Sequence, residues 1–242
     1  MKKTLTIIGL AVATLAGAQA QTLISFSENG TGGDLSGAYP IDFINDTITG
    51  IDLTAASNLS NATLSLGAGA QAGVAGGSLG FANSGNATTL ATAITANLYH
   101  SFTLTPSSGF ELNISGVTYN ADAASATSTF NFNLLSSVTG FTSSDSLGSF
   151  SVINGGNASG TINLSGNSAL QGVDSTIEFR IYVSRSAGSG TASYYADDGV
   201  NSGLFSINGS VAAVPEPSTW ALIGLGSAFM LWNLRRKRSI KA

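Results

Sequence analysis

The chain of 242 residues has no cysteine, and that one absence removes disulfide staples, thiolate zinc sites, iron–sulfur clusters and thiol nucleophiles together. It has a single histidine, His100, so multi-histidine metal centres are excluded and any Ser-His-Asp device would have to run through that residue. Charge is scarce as well: 9% of residues are Asp, Glu, Lys or Arg, against about 25% in an ordinary soluble domain. Cations are nearly missing from the middle of the chain. Of nine Lys and Arg, only Arg180 and Arg185 fall within residues 21–213, which hold twelve acidic side chains, a net charge of −10. A body of that sign cannot displace phosphate counterions, so nucleic acid is excluded as a partner. Carbohydrate, divalent cations and neutral surfaces remain.

The two ends hold what the middle lacks. Lys2 and Lys3 precede an apolar run from Leu5 to Leu15, and small residues close the segment at Ala18-Gln19-Ala20. A positive start, a short apolar stretch and an A-x-A cleavage site predict a signal peptide over residues 1–20. The export translocon and signal peptidase are the expected partners there, with cleavage after Ala20. Export without cysteine fits a bacterial envelope protein whose stability rests on its core alone.

At the other end no charge occurs from Pro217 to Leu234, and those eighteen residues are followed by Arg235, Arg236, Lys237 and Arg238. As a helix the run would be about 27 Å long, enough to cross a thin bilayer. Trp220 and Trp232 lie near its two ends, where amphipathic rings prefer the interface, and the basic cluster is the cytoplasmic stop. A transmembrane helix over residues 218–234 is expected, acting as an inner-membrane anchor with the body outside and the tail inside. An ordinary buried helix fits poorly, because Leu222 to Leu231 is apolar all round.

Val214-Pro215-Glu216-Pro217-Ser218-Thr219, one apolar helix and a short Arg-rich stop together resemble the PEP-CTERM sorting signal of Gram-negative bacteria, over residues 214–242. The resemblance implies an exosortase substrate: a membrane-embedded exosortase removes or transfers such tails, and the proteins accompany exopolysaccharide production and surface or biofilm material. It makes Val214, Pro215, Glu216 and Pro217 recognition residues rather than catalytic ones. Physically, the two prolines keep Glu216 extended and out of the helix, presented at the membrane face.

Residues 21–213 have the length of one domain. Apolar residues alternate with polar ones in Phe130, Phe132 and Leu134, in Ile177, Phe179, Ile181 and Val183, and in Phe205, Ile207 and Val211. Leu98, Phe102 and Leu104 are expected to share a face before Pro106, and Leu112 with Ile114 begins another strand. Gly, Ser, Asn and Asp clusters separate these runs, and no 3.6-residue period is evident outside the ends. Asn58 to Thr95, rich in small residues, reads as loops and short strands. An all-β, antiparallel β-sandwich of ten to twelve strands is predicted, flanked by the signal peptide and the C-terminal helix. "YHSFTLTPSSGFELNISGVTYNA", "TIEFRIYVSR" and "DDGVNSGLFSINGSV" look like the jelly-roll, concanavalin-like domains of many PEP-CTERM proteins, whose last strand ends Gly-x-Val, here Gly209-Ser210-Val211. That resemblance implies a jelly-roll-like fold and assigns no ligand.

Candidate chemistry is sparse. His100 has the parity of Phe102 and is expected in the core. Glu111 and Glu178 lie on strands and raise the question of a glycosidase pair. The Glu-x-Asp-x-x-Glu signature of jelly-roll hydrolases is absent, and Arg180 is an ion-pair partner on the same face as Glu178. No catalytic residue is assigned and no enzyme is expected. Asp197 and Asp198, with Asn201 near them, offer oxygen ligands suited to Ca²⁺ or carboxylates that cap a turn; no other cofactor is expected. Tyr194 and Tyr195 precede that loop, and Tyr182 lies on the outward face of its strand. Exposed rings beside polar loops can stack on sugars, so a carbohydrate-binding module on exopolysaccharide is the alternative reading. Most of the nine Asn-x-Ser/Thr triplets are accidents of an Asn/Ser/Thr-rich composition, and none is assigned as a site. The main reading is an exported, non-catalytic cell-surface or extracellular-matrix protein associated with exopolysaccharide or biofilm.

Overall fold

The structure, a computed structural model, describes residues 21–28, 39–75, 78–82, 87–123, 129–153, 157–186, 192–193, 205–214 and 224–230. Two antiparallel sheets carry more than half of them. Sheet A runs in the order β3 (Ile51–Ala55), β1 (Gln21–Glu28), β14 (Phe205–Ala213), β8 (Phe110–Ala123), β13 (Ala192–Ser193), β6 (Ser78–Ala82) and β5 (Gln71–Ala75), and β11 (Asn157–Asn163) also pairs with β8. Sheet B runs β10 (Gly148–Ile153), β9 (Thr129–Ser136), β12 (Ile177–Arg185), β7 (Tyr99–Pro106), β4 (Leu59–Leu66) and β2 (Ile41–Asp42).

Period-two alternation builds the core between the sheets. Phe130, Phe132, Leu134, Ile177, Phe179, Ile181 and Val183 are all buried, as are Ile24, Leu112, Ile114, Phe205 and Ile207 facing them from sheet A. Two aromatic stacks cross the interior. In one, Phe26 and Phe205 of sheet A stack at 5.6 Å and Phe205 meets Phe102 of sheet B at 4.2 Å. In the other, Tyr119 of sheet A lies 3.5 Å from Phe150, which lies 4.7 Å from Phe132. Each fully buried ring contributes about 1.5–3 kcal/mol to this core.

Sheet A joins the two ends of the body. β1 and β14 are neighbours, with Ser25 opposite Ser206 and Gln21 opposite Gly209. A register shift in β14 between Asn208 and Gly209 requires the glycine: a Cβ there would collide with the carbonyl oxygen of Asn113. The Gly of Gly209-Ser210-Val211 therefore has a packing cause.

Three expectations change. The strands among the described residues number fourteen rather than ten to twelve, because β2 and β13 are two-residue pairings too short to show alternation. The stretch Asn58 to Thr95 contains, besides strands, a helix α1 (Leu90–Thr95), too short for a 3.6-residue pattern to show. A capping box forms it, with Thr89 Oγ1 accepting from Thr92 N–H at 3.2 Å and Thr92 Oγ1 accepting from Thr89 N–H at 3.0 Å. Leu98 does not share the face of Phe102 and Leu104. Asn97 adopts φ 54° and turns the chain ahead of β7, so Leu98 joins a second cluster under α1 with Ala93, Leu135 and Tyr182.

The expected span over residues 218–234 lies mostly outside the described residues. Residues 224–230 are helical and exposed, and among the described residues no helix is long and apolar enough to cross a membrane.

Candidate functional site

The last strand leads directly into the sorting segment. β14 pairs with β8 to its final residue, Ala213 opposite Phe110, and the Val214 N–H donates to the Gly109 carbonyl at 2.8 Å. Val214 itself is 40% exposed, an apolar side chain left outside the core at the end of a central strand. Pro215, Glu216 and Pro217 follow outside the described residues, as do Arg235, Arg236, Lys237 and Arg238. Ala18 and Ala20, at the signal cleavage site, also lie outside them.

The outer face of sheet B carries a polar cluster around Arg180. Arg180 makes a two-pronged contact with Glu178, Nε to Oε1 at 2.8 Å and Nη2 to Oε2 at 3.0 Å, and its Nη1 donates to the Tyr182 hydroxyl at 3.3 Å. Its guanidinium lies between two rings, 4.5 Å from the centroid of Tyr99 and 4.0 Å from that of Phe141. Burial opposes the charge, but the bonds to Glu178 and Tyr182 outweigh it and raise the arginine's pKa. Desolvation raises the pKa of Tyr182, so its hydroxyl stays protonated and accepts from Arg180. Each of the three guanidinium nitrogens thus has a protein partner, and two aromatic rings pack against the group. The cluster fastens the segment carrying Phe141 to the sheet. The Glu178–Arg180 pair is legible from sequence parity; Tyr99 and Phe141 are not, because only strand register and the path of a loop bring them there.

Tyr182 does lie on the outward side of its strand, yet it is only 1% exposed. α1 and Leu98 cover it, so it offers no ring for a sugar. Tyr194 and Tyr195, and the Ca²⁺ candidates Asp197 and Asp198, lie outside the described residues. Among the described residues no group of three or more His, Asp or Glu side chains is placed to hold a metal. Asp42, Asn45 and Asp46 make a closed turn instead: Asp42 accepts from Asn45 Nδ2 at 2.7 Å and from the Ile44 amide at 2.9 Å, which lowers its pKa.

Glu111 and Glu178 do not assemble. Glu111 alternates with core residue Leu112 on sheet A, and Glu178 alternates with Ile177 and Phe179 on sheet B, so the two carboxylates lie on opposite outer faces with the sandwich between them. His100 is buried against Tyr39, ring centroids 5.9 Å apart, and burial holds its pKa well below the ordinary 6.5. An open cleft of about 480 Å³ is lined by Phe43, Ile44 and residues 53–59, none of which ionises.

The family comparison decides which of these places carries a recognised signal. Residues 213–237 carry a PEP-CTERM protein-sorting motif. The motif starts at Ala213, the last residue of β14, so sandwich and sorting signal share a residue. A PEP-CTERM motif directs its bearer to processing by exosortase, a membrane enzyme, and to the cell surface or a membrane-anchored state. No curated protein and no solved structure matches the chain.

Proposed function

We propose that this PEP-CTERM protein is an exported, non-catalytic cell-surface or matrix protein whose β body, residues 21–213, is the cargo, associated with exopolysaccharide or biofilm. Residues 1–20 act as signal peptide through the translocon and signal peptidase, and residues 218–234 as the anchor held until exosortase acts. The observation that carries this reading is the junction at Ala213–Val214, where a folded strand passes without spacer into a matched sorting motif. The helix at residues 224–230 supports the anchor: Leu225, Phe229 and Met230 are 69%, 62% and 48% exposed, which suits lipid better than water. The separation of Glu111 from Glu178 supports the non-catalytic part.

Fractionation of the native bacterium tests the sorting. With Pro215→Ala, Glu216→Ala and Pro217→Ala combined, the body is expected to accumulate in the membrane fraction while the wild type reaches the surface or medium. Identical distributions would sink the proposal. Release of reducing ends from a polysaccharide by the exported protein, lost in Glu178→Gln, would overturn its non-catalytic part.

A further inference from the structure

The chain leaves the sandwich at a definite end. β14 is paired to Ala213, and Val214 is tied to Gly109 in the turn between β7 and β8. The expected anchor begins at Ser218, four residues on, and four residues reach at most about 14 Å. β1 starts at the same end, since Gln21 lies opposite Gly209 while Phe26 lies opposite Phe205. Both segments addressed to the membrane are therefore joined to one end of the body, on adjacent strands of sheet A.

Exposed apolar side chains are gathered at that end. Among the described residues of the body, the large hydrophobics left exposed are Ile44, Val138 and Val214. Val138 lies in the turn after β9, where the Ser137 N–H donates to the Glu178 carbonyl at 2.8 Å. Glu178 follows Ile177, the first residue of β12, and Ile177 is opposite Leu104, close to the end of β7 at Pro106. Ile44 lines the open cleft with Ser57, Asn58 and Leu59. The Asn58 carbonyl accepts from the Ser107 N–H at 2.8 Å, and Leu59 lies opposite Pro106. Three side chains from separate parts of the chain are thus grouped around the turn at residues 107–109. An exposed Val or Ile by itself is ordinary. What selects this end is that all three fall where the chain departs for the membrane.

We propose that this end of the sandwich, with Ile44, Val138 and Val214 around the turn at residues 107–109, rests on the bilayer surface while the C-terminal helix holds the protein, its apolar side chains entering the headgroup region. The proposal deepens the anchored stage of the sorting reading and rests on it. The charges at this end choose the lipid. Glu111, opposite Ala212, and Asp174, next to the Val173 that bonds Leu112, are acidic, and Arg180 is already paired with Glu178. Electrostatics thus give no attraction to anionic headgroups, and a zwitterionic surface is the one that fits. Tethering supplies what three side chains alone lack, because it raises the local concentration of the surface and lets weak contacts suffice. The far end of the body, at Tyr99, stands about 23 Å further along β7 and is directed away from the bilayer.

Because the chain has no cysteine, each introduced thiol is unique. Protein carrying residues 21–242, reconstituted in phosphatidylcholine vesicles with brominated acyl chains, is labelled with a fluorophore in turn at Ser108→Cys, Ala68→Cys and Phe229→Cys. Ser108 is exposed in the turn at the proposed surface, and Ala68 is exposed at the far end, next to the Gly67 N–H that bonds the Tyr99 carbonyl. Quenching about twofold or more stronger for the Ser108 label than for the Ala68 label is expected, with strong quenching of the Phe229 label. Ile44→Asp/Val138→Asp should bring the Ser108 signal down to that of Ala68, with unchanged melting curves. A quenched Phe229 label without any excess at Ser108 would overturn this proposal and leave the anchor standing, whereas an unquenched Phe229 label would overturn the anchor and the proposal with it. A Ser108 signal that survives Ile44→Asp/Val138→Asp would assign the closeness to the tether alone and overturn the surface. An excess at Ser108 that arises only with an exosortase reconstituted beside the protein would give this end a protein partner and overturn the lipid assignment.

Discussion

The outer faces of the two sheets come from the same alternating pattern and end up as opposite kinds of surface. On sheet B the outward residues of β12 are covered: α1 and Leu98 close over Tyr182, and Phe141 closes over Arg180. On sheet A, Ser206 and Asn208 of β14 and Thr118 of β8 stay short, neutral and partly in water. The difference teaches that outward parity does not mean exposure. A short helix, set by the Thr89 capping box and followed by the positive φ of Asn97, converts an outward tyrosine into core.

That contrast is broken most strongly by emptying the covered face. Tyr182→Ala should cost about 3–5 kcal/mol of unfolding free energy, as expected for a buried ring, whereas Thr118→Val should stay within about 0.5 kcal/mol. Urea unfolding of both variants measures the gap; equal, small effects would mean that α1 does not cover sheet B. Arg180→Ala comes next, with an expected loss of about 1–2 kcal/mol, since it removes two ring contacts and a two-pronged ion pair whose side chains are only 24% and 25% exposed. Glu178→Gln should cost less, about 0.5–1 kcal/mol, because the ring contacts survive.

A separate effect follows pH. Buried His100 stays neutral in the folded protein well below 6.5, whereas the unfolded chain takes up the proton near that value. Below pH 6.5 only the unfolded state gains, so stability falls as pH drops, by at most about 1.4 kcal/mol per unit. It is fully present above that range. Thermal melts between pH 7.5 and 5 should show the decline, and His100→Phe, which keeps a ring beside Tyr39, should flatten it.

Much of the fold was legible in the residues, and the failures share a physical reason. Phe130, Phe132, Ile177, Phe179 and Ile181 reach the core because alternation depends only on the strand's own geometry. Leu98 breaks that rule because one left-handed residue, Asn97, ends the strand's geometry just before β7. Tyr182 keeps its parity but loses its exposure to α1, an element far earlier in the chain, which no local pattern contains. The PEP-CTERM sorting motif was legible, since its signal is compositional and ordered along the chain. The pairing of Ser25, Thr54, Thr118, Thr161 and Ser206 across sheet A was not, since they become neighbours only through strand order and register.

The junction between β14 and the sorting motif is tested most directly by the intact mass of the protein recovered from its native surface or medium, measured beside the Pro215→Ala/Glu216→Ala/Pro217→Ala variant. The expected wild-type mass lacks residues 1–20 and the C-terminal helix, and the variant retains that helix in the membrane. A wild type that keeps residues 218–234 at the cell surface would contradict removal of the tail and leave the motif as a plain anchor.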